Sequence, residues 1–306
     1  MESWRRNPLV FWIISLPPSV WLVVFFLIPL TIVWVLSFGE NRDIINIDIT
    51  WTLKNYLRVL EDPYPYIFVK SLWMAGATTL ICLLIAFPVA FSITFAPARM
   101  KPWLLLLIIL PFWTNLLIRT YALIAVLRTR GFVNFGYEWL WEQANGVLVF
   151  LGLGQMQLLG ERFEPMGLLY NNAAVVIGLV YVHLPFMVLP LYASLERLDK
   201  SYIEASLDLG AGQLRSFYSV VVPLAKAGIF SGIVITFIPA LGSFLTPDLL
   251  GGTDSQMIAN VIESQFKSAN NWPFGSALSF ILMYITFFAL ALRALFAKGS
   301  SAMEAG

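Results

Sequence analysis

Residues 71–98 read SLWMAGATTLICLLIAFPVAFSITFAPA, a run of 28 positions without one Asp, Glu, Lys or Arg. About 20 apolar residues cross roughly 30 Å of hydrocarbon as a helix, so this run is long enough to span a bilayer. It is not isolated. Asn7–Gly39, Pro165–Leu195, Ala227–Pro247 and Ser268–Leu292 are also free of charge, and Trp103–Leu127 carries only Arg119. In lipid the backbone must satisfy its own hydrogen bonds, and the alternating pattern of a barrel strand is absent, so these runs read as helices. The expectation is an all-α, polytopic membrane protein with six spans, near 9–38, 69–97, 103–127, 172–195, 220–247 and 275–297. The whole of 1–306 reads as a single transmembrane domain.

Composition agrees. Of 306 residues, 59% are hydrophobic and 12% charged, about half the charge of an ordinary soluble domain. Disorder and a disulfide scaffold are excluded on the same ground, and a net charge of +1 gives no broad field for nucleic acid. One cysteine (Cys82) and one histidine (His183) leave no intrachain disulfide and no Cys/His metal cluster. Both lie in apolar runs, where a buried structural role is expected. The first run is too long for a signal-peptide core and lacks a small-residue cleavage site after Phe38, so it reads as a retained span.

Orientation follows from where the scarce charge lies. With a cytoplasmic N-terminus, ten basic and six acidic residues fall inside, for a net +4. Eight basic and twelve acidic residues fall outside in longer loops, for a net −4. The basic excess inside predicts cytoplasmic termini at both ends. Gln143–Gly160 is also charge-free but contains Gln143, Asn145, Gln155, Gln157 and four glycines. It reads as an external interfacial or folded loop, with Trp139 and Trp141 near the headgroups. Taken as a span, it would move the 196–222 loop outside.

That loop, within LERLDKSYIEASLDLGAGQLRSFYSVVVPLAK (195–226), is the largest cytoplasmic feature. Ser201 and Glu204 stand at capping-box spacing. Leu198, Tyr202, Ala205 and Leu209 fall on one helical face, and Lys200, Glu204 and Asp208 on another. Gly210 and Gly212 are expected to end this helix, because glycine reaches left-handed geometry at little cost. A second short helix is expected from Gln213 to Val220, ahead of Pro223 at the start of span five.

At this loop the chain resembles the ABC-importer permeases. Their cytoplasmic signature is Glu-Ala-Ala, three residues, Gly, nine residues, Ile, one residue, Leu-Pro. Glu204-Ala205-Ser206, Gly210, Val220 and Val222-Pro223 stand at that register, with Ser206, Val220 and Val222 as small or aliphatic departures. The resemblance implies an ABC-importer permease fold and a loop that docks on an ATP-hydrolysing subunit, with Glu204, Ala205 and Gly210 in the coupling role and Pro223 at re-entry. The chain has no Gly-x-x-x-x-Gly-Lys-Ser/Thr phosphate loop. ATP and Mg are therefore expected on a separate ATPase, with no cofactor, metal or catalytic residue here. Read without the resemblance, the loop is an amphipathic connector in which Glu204 caps a helix.

Four further stretches look like the first of the two paired spermidine/putrescine permeases. These are Leu110–Ala122, Val180–Tyr192 with Glu196–Lys200, Ser243–Gly252, and Asn271–Gly275. Opine, aminoethylphosphonate and iron permeases share parts of the pattern and stay open as alternatives. The resemblance implies a bacterial inner-membrane location, a second homologous permease, two ATPase copies, an external binding protein and a polyamine substrate. A secondary carrier would be expected to hold acids within its spans, and five spans have none.

A flexible polycation needs carboxylates and aromatic faces. Trp113, Asn115, Tyr121, Tyr181 and Phe244 are path candidates within the spans, with Asp248 and Glu263 flanking the outer end of span five. The aromatic residues have an equally ordinary reading as packing or lipid-facing side chains. Arg119 lies 16 residues beyond Trp103, roughly 24 Å along a continuous helix. Its side chain has two readings, snorkelling outward or pairing with a carboxylate to order the outer gate and hold Trp113 and Asn115.

Overall fold

The computed structural model describes residues 8–43, 46–150 and 163–303. Among the described residues the regular structure is helical except for one short antiparallel hairpin, β1 (Gly39–Asn41) with β2 (Ile47–Ile49), which follows the first apolar helix. It divides into two units, Met1–Tyr66 with Val261–Gly306, and Ile67–Asn260.

In the first unit, α1 (Pro8–Leu22), a π turn (Val23–Leu27) and α2 (Ile28–Leu36) form one apolar rod, Val10–Leu36. No side chain is buried along its most apolar stretch, which is the surface a helix presents when lipid is its solvent. The polar end of the rod is better tied. Asn55, in α3 (Lys54–Arg58), donates to the Ser37 and Gly39 carbonyls at 3.1 and 2.7 Å. Trp34 Nε1 donates to Tyr284 Oη of α15 (Trp272–Met303) at 3.0 Å. Arg58 lies 4.4 Å from the Phe274 ring centroid, where cation and π face attract.

The second unit is built on α4 (Tyr64–Phe95) and α8 (Asn172–Leu195), which share a core of Cys82, Ala86, Ala90, Met187, Val188 and Leu191. The expected structural roles of Cys82 and His183 hold. Cys82 is fully buried, and His183 Nδ1 donates to the Leu179 carbonyl one turn earlier at 2.8 Å. Asn171 caps α8, its Oδ1 accepting from Ala174 N at 2.8 Å.

Packing of α12 (Lys226–Leu241) on α8 depends on two glycines four residues apart. A Cβ on Gly228 would stand 2.5 Å from Ser194 Cβ and 2.8 Å from the Pro190 carbonyl oxygen, and one on Gly232 would stand 2.6 Å from Met187 Sδ. Small residues at this spacing let two membrane helices approach to backbone distance, where dispersion and polar contacts replace the missing hydrophobic drive.

Continuous apolar helices lie where spans one, two and four are expected, and a shorter one lies at the start of span six. Val10–Leu36, Tyr64–Phe95 and Asn172–Leu195 are each long enough to cross, and α15 begins with a shorter apolar stretch, Trp272–Phe288. Spans three and five are not single rods. Span three is α5 (Lys101–Ile109), a 3-10 turn (Leu110–Trp113) and α6 (Leu116–Leu127); Lys101–Trp113 meets the helical stretch Leu116–Leu148 at 96°, across a break at Thr114–Asn115. Thr114 is extended, its Oγ1 donates to the Pro111 carbonyl at 2.8 Å, and Asn115 Oδ1 caps α6 through Leu117 N at 2.8 Å. A proline and two polar caps therefore stop one helix and start another inside an apolar run. Span five bends by 67° at Ala225, between Gln213–Leu224 and Lys226–Leu241, and stops at Leu241, before the short α13 (Leu245–Leu250).

Of the Gln143–Gly160 segment, residues up to Phe150 complete α7 (Phe132–Phe150); 151–160 lie outside the described residues. Glu138, Trp139, Trp141 and Glu142 belong to this same helix.

Candidate coupling surface and translocation path

The loop after α8 folds as two short helices around a corner. The first is α9 (Ser201–Asp208); the second is α10 (Gln213–Ser216), continued through a π turn (Phe217–Val221) into α11 (Val222–Leu224). The capping box is not formed. Ser201 is already helical, the residue before it, Lys200, makes no side-chain cap, and the helix start is tied instead by Asp199, whose Oδ1 accepts from Ser201 N at 3.0 Å. That hydrogen bond holds the Asp199 carboxyl below its usual range. Glu204 is thus left with an exposed side chain and no part in the cap.

At the other end of α9, Gly210 adopts φ +82°, while Gly210 N and Ala211 N donate to the Leu207 and Ser206 carbonyls at 2.9 and 3.1 Å. This is a left-handed glycine close, as the sequence suggests. Gly212 is different. It is extended (φ −69°, ψ 161°) and precedes α10, so it opens the second helix rather than ending the first. The second helix also runs beyond the expected Val220. Pro223 sits inside its last turn, and the change of direction falls two residues later at Ala225.

The element has a packed face and a free face. Leu198, Ile203 and Phe217 pack on the core of α4 and α8, with Phe217 edge-on to Phe87 at 5.1 Å and to Phe91 at 6.0 Å. Lys200 Nζ lies 5.2 Å from the Phe95 centroid at the end of α4. Ser206 Oγ and Ser216 Oγ share a hydrogen bond of 2.8 Å that joins α9 to α10. The apolar face expected from Leu198, Tyr202, Ala205 and Leu209 is therefore split. Leu198 is packed, whereas Tyr202, Ala205 and Leu209 are exposed together with Leu207, Leu214 and Tyr218; Leu209 is 88% exposed. Phe217 anchors the element and Asp199 ties its start; Asp199 had a local signal, an aspartate two residues before a helix start, whereas Phe217 had none, because its contact depends on which helix lies opposite.

The path candidates are dispersed. Trp113 is 79% exposed at the end of the 3-10 turn, Asn115 is spent on capping α6, and Tyr121 and Tyr181 are exposed on α6 and α8. Phe244 precedes α13 and accepts from Asn260 Nδ2 through its carbonyl at 2.8 Å. Asp248 is exposed in α13. Glu263, on α14 (Ile258–Lys267), is paired with Lys267 at 2.7 Å and belongs to the other unit, so the two acids are not one described site.

Arg119 departs from the carboxylate-pair expectation. Among the described residues it has no ion pair, and its Nε and Nη1 are buried without a hydrogen-bond partner. Its Cζ lies 5.9 Å from the Phe112 centroid; Phe112 stands edge-on to Phe186 at 4.9 Å, and Phe186 lies 6.0 Å from the His183 ring. The bend at Thr114–Asn115 also removes the straight axis on which its depth was counted.

The sequence matches the model of the family described as binding-protein-dependent transport system inner membrane component over residues 3–300. It is 39% identical over 265 residues to the spermidine/putrescine transport system permease protein PotB of Escherichia coli (strain K12), covering 87% of this chain and 90% of that protein. The corresponding protein of Haemophilus influenzae is also 39% identical, over 263 residues, 85% of this chain and 84% of that one. The inner membrane ABC transporter permease protein YdcU of Escherichia coli is 30% identical over 99% of this chain and 93% of its own. A bacterial ABC transporter involved in the import of the acidic polysaccharide alginate shares the fold, with a TM-score of 0.69 over 95% of this chain and 96% of that chain at 14% identity. With the apolar helices and the helix–glycine–helix loop, these matches establish that the chain belongs to the family of binding-protein-dependent transport system inner membrane components, as a multi-pass permease.

Proposed function

We propose that the chain is one of two paired permeases of an ATP-driven polyamine importer, with spermidine and putrescine as the substrate class. The reading is supported by 39% identity to curated spermidine/putrescine permeases across 87% of the chain. The observation that carries the coupling role is the outward face of the 201–224 element. Tyr202, Leu207, Leu209, Leu214 and Tyr218 are exposed apolar side chains on the element that also exposes Glu204 and Ala205, while Phe217 packs that element on the α4–α8 core. An exposed apolar surface rimmed by charge is what a docking partner covers.

The partner is a separate ATPase, present twice beneath the permease pair and supplying ATP and Mg. An external binding protein delivers the polyamine above. Both termini are cytoplasmic, with the coupling loop on the same side. ATP binding closes the ATPases, the two coupling elements move with them, and the paired bundles turn from inward-facing to outward-facing; hydrolysis and release reverse the change. This chain makes no covalent bond in the cycle. Glu204, Ala205 and Gly210 carry the docking contact, and Pro223 stiffens the end of its second helix.

Trp113, Tyr121, Tyr181, Phe244 and Asp248 are proposed to meet the substrate, the rings by cation–π attraction. Glu263 is a secondary candidate because Lys267 already neutralises it. Arg119 is a structural charge of the outer gate, held by Phe112 rather than by a carboxylate of its own unit.

The test is co-expression with the neighbouring ATPase, the second permease and the binding protein. ATP hydrolysis and uptake are measured with spermidine, putrescine, opines, aminoethylphosphonate and iron complexes. Stimulation by a polyamine is expected; stimulation by another solute only would overturn the substrate. Uptake by liposomes containing this chain alone would overturn the importer itself.

A further inference from the structure

At the loop-facing ends of α5 and α8, Lys101 Nζ donates to both carboxylate oxygens of Glu196, at 2.6 and 2.9 Å. The two side chains are 21% and 38% exposed, so the pair is neither a freely solvated contact nor a buried one. Its placement is unusual. Lys101 is the first residue of α5, where the helix dipole disfavours a cation, and Glu196 follows the last residue of α8, where the dipole disfavours an anion. Each charge is wrong for its own helix and right for the other's. Local helix stability therefore does not account for either residue, whereas a tie between the two helix ends does.

What the pair ties is informative. Glu196 is the first residue of the loop that carries the coupling element, and Leu198 and Lys200 of the same segment are held on the α4–α8 core and on Phe95. Lys101 starts the half of span three that leads through the 3-10 turn to the 96° bend and then to Arg119 and Tyr121. In the described residues, Lys101–Glu196 is the ion pair that joins the coupling loop to another segment of its unit.

We propose that Lys101 and Glu196 are a positioning pair that carries movement of the coupling loop to α5, and through the bend at Thr114–Asn115 to the path-bearing α6. This rests on the coupling role argued above for the 201–224 element. The pair stays closed during the cycle and works as a strut. Neither residue touches substrate or the ATPase.

The test uses the full complex of both permeases, ATPase and binding protein in proteoliposomes. ATP hydrolysis and uptake of radiolabelled spermidine and putrescine are followed together. Lys101→Glu and Glu196→Lys are each expected to lower uptake per ATP hydrolysed by about threefold to fivefold, the scale of a partly exposed pair. The double reversal should restore most of the loss, and Lys101→Arg, which keeps the cation, should cause little loss of its own. A Lys101→Cys, Glu196→Cys variant should be uncoupled when reduced and recover when a short bis-thiol-reactive linker joins the two positions. A merely structural pair would change thermal stability in step with charge loss but leave uptake per ATP unchanged.

Unchanged coupling in both single reversals, or loss of uptake on cross-linking, would overturn the strut. If the wild-type complex hydrolyses ATP in response to its binding protein but moves no polyamine, the substrate reading fails, and the strut is judged on stimulated hydrolysis across the same variants. If no ATPase responds to the chain at all, the coupling reading fails and the strut falls with it.

Discussion

Ser206 and Ser216 share a hydrogen bond of 2.8 Å across the corner made by Gly210, so the two halves of the proposed coupling element are joined at a second point beyond the chain itself. Helices of eight and four residues have little stability alone. Their mutual orientation depends on that bond, on the left-handed glycine and on Phe217 against Phe87 and Phe91. Removing the hydroxyl from Ser206 leaves Ser216, which is buried, with one partner fewer. Ser206→Ala removes the bond without adding volume and should weaken ATPase docking slightly, whereas Ser216→Val removes it and also crowds a buried position, and should weaken docking more. Pull-down of the ATPase on the detergent-solubilised permease reads both.

Gly210→Ala isolates backbone geometry from packing. No atom lies within 4 Å of the position a Cβ would take, so the methyl group meets nothing, but φ +82° is costly for any residue other than glycine. The left-handed region costs roughly 1 kcal/mol for alanine. Membrane insertion and overall thermal stability should change little, while transport falls and ATP hydrolysis persists. Normal uptake by Gly210→Ala would show that the corner can be redrawn without consequence.

Glu204 gives the complementary case. Because Asp199 rather than Ser201 and Glu204 ties the start of α9, Glu204→Ala removes an exposed charge without removing that tie. Limited proteolysis at Arg197 and Lys200 should therefore match wild type, and uptake per ATP hydrolysed should drop. Faster cleavage of the variant would return Glu204 to a purely structural role.

Asp199 makes α9 sensitive to acid. Its carboxyl is held below the usual range by the Ser201 backbone N–H, so its stabilising effect is complete above the unfolded-state value and is lost as pH falls through the lower, folded one. Near neutral pH no change is expected. On acidification below the ordinary carboxylate range, α9 should fray before the membrane helices do, and Asp199→Asn should remove most of that dependence. Thiol labelling of a Leu209→Cys variant against pH measures it.

The places of the long apolar helices were legible because lipid makes the signal simple: a span is a run without charge. Tyr64–Phe95 holds Pro88 and Asn172–Leu195 holds Pro185 and Pro190, yet both are continuous helices, since neighbouring helices can satisfy the freed carbonyls. Thr114 and Asn115 break span three because their side chains supply caps, a local chemistry that hydropathy does not register. The coupling corner was legible through Gly210, where only one residue type suits the backbone. Gly212 was misread for want of any signal separating a left-handed glycine from an extended one. Phe217 and the Lys101–Glu196 pair were invisible because each depends on which helix lies opposite, and spacing along one chain segment does not contain that.

Arg119 separates stability from function. Its Nε and Nη1 are buried without partners, and an unsatisfied buried polar group costs about 1–3 kcal/mol. Arg119→Met keeps the length of the side chain and its contact with Phe112 while removing the orphan donors. The solubilised chain should therefore melt higher than wild type. Transport should nevertheless fall, because the charge that the fold carries at a cost is the one proposed for the outer gate. A variant that is both more stable and fully active would leave the outer-gate role without support.

Gly228 and Gly232 face the same helix but should not respond alike. An added Cβ at Gly228 meets the Pro190 carbonyl oxygen at 2.8 Å and Ser194 Cβ at 2.5 Å, both fixed to the α8 backbone. At Gly232 the closest atom is Met187 Sδ at 2.6 Å, the far part of a flexible side chain that can turn aside. Gly228→Ala should therefore force α12 away from α8 and cost about 1–3 kcal/mol, with Gly232→Ala at the low end of that range or below it. Because α12 continues from the bend at Ala225, the same displacement should reach the coupling element, so Gly228→Ala is expected to lose ATPase docking as well as melting temperature. Thermal unfolding and pull-down measured on both variants decide it: equal losses would mean that α8 and α12 adjust as soft surfaces, and that the backbone at Pro190 does not set their distance.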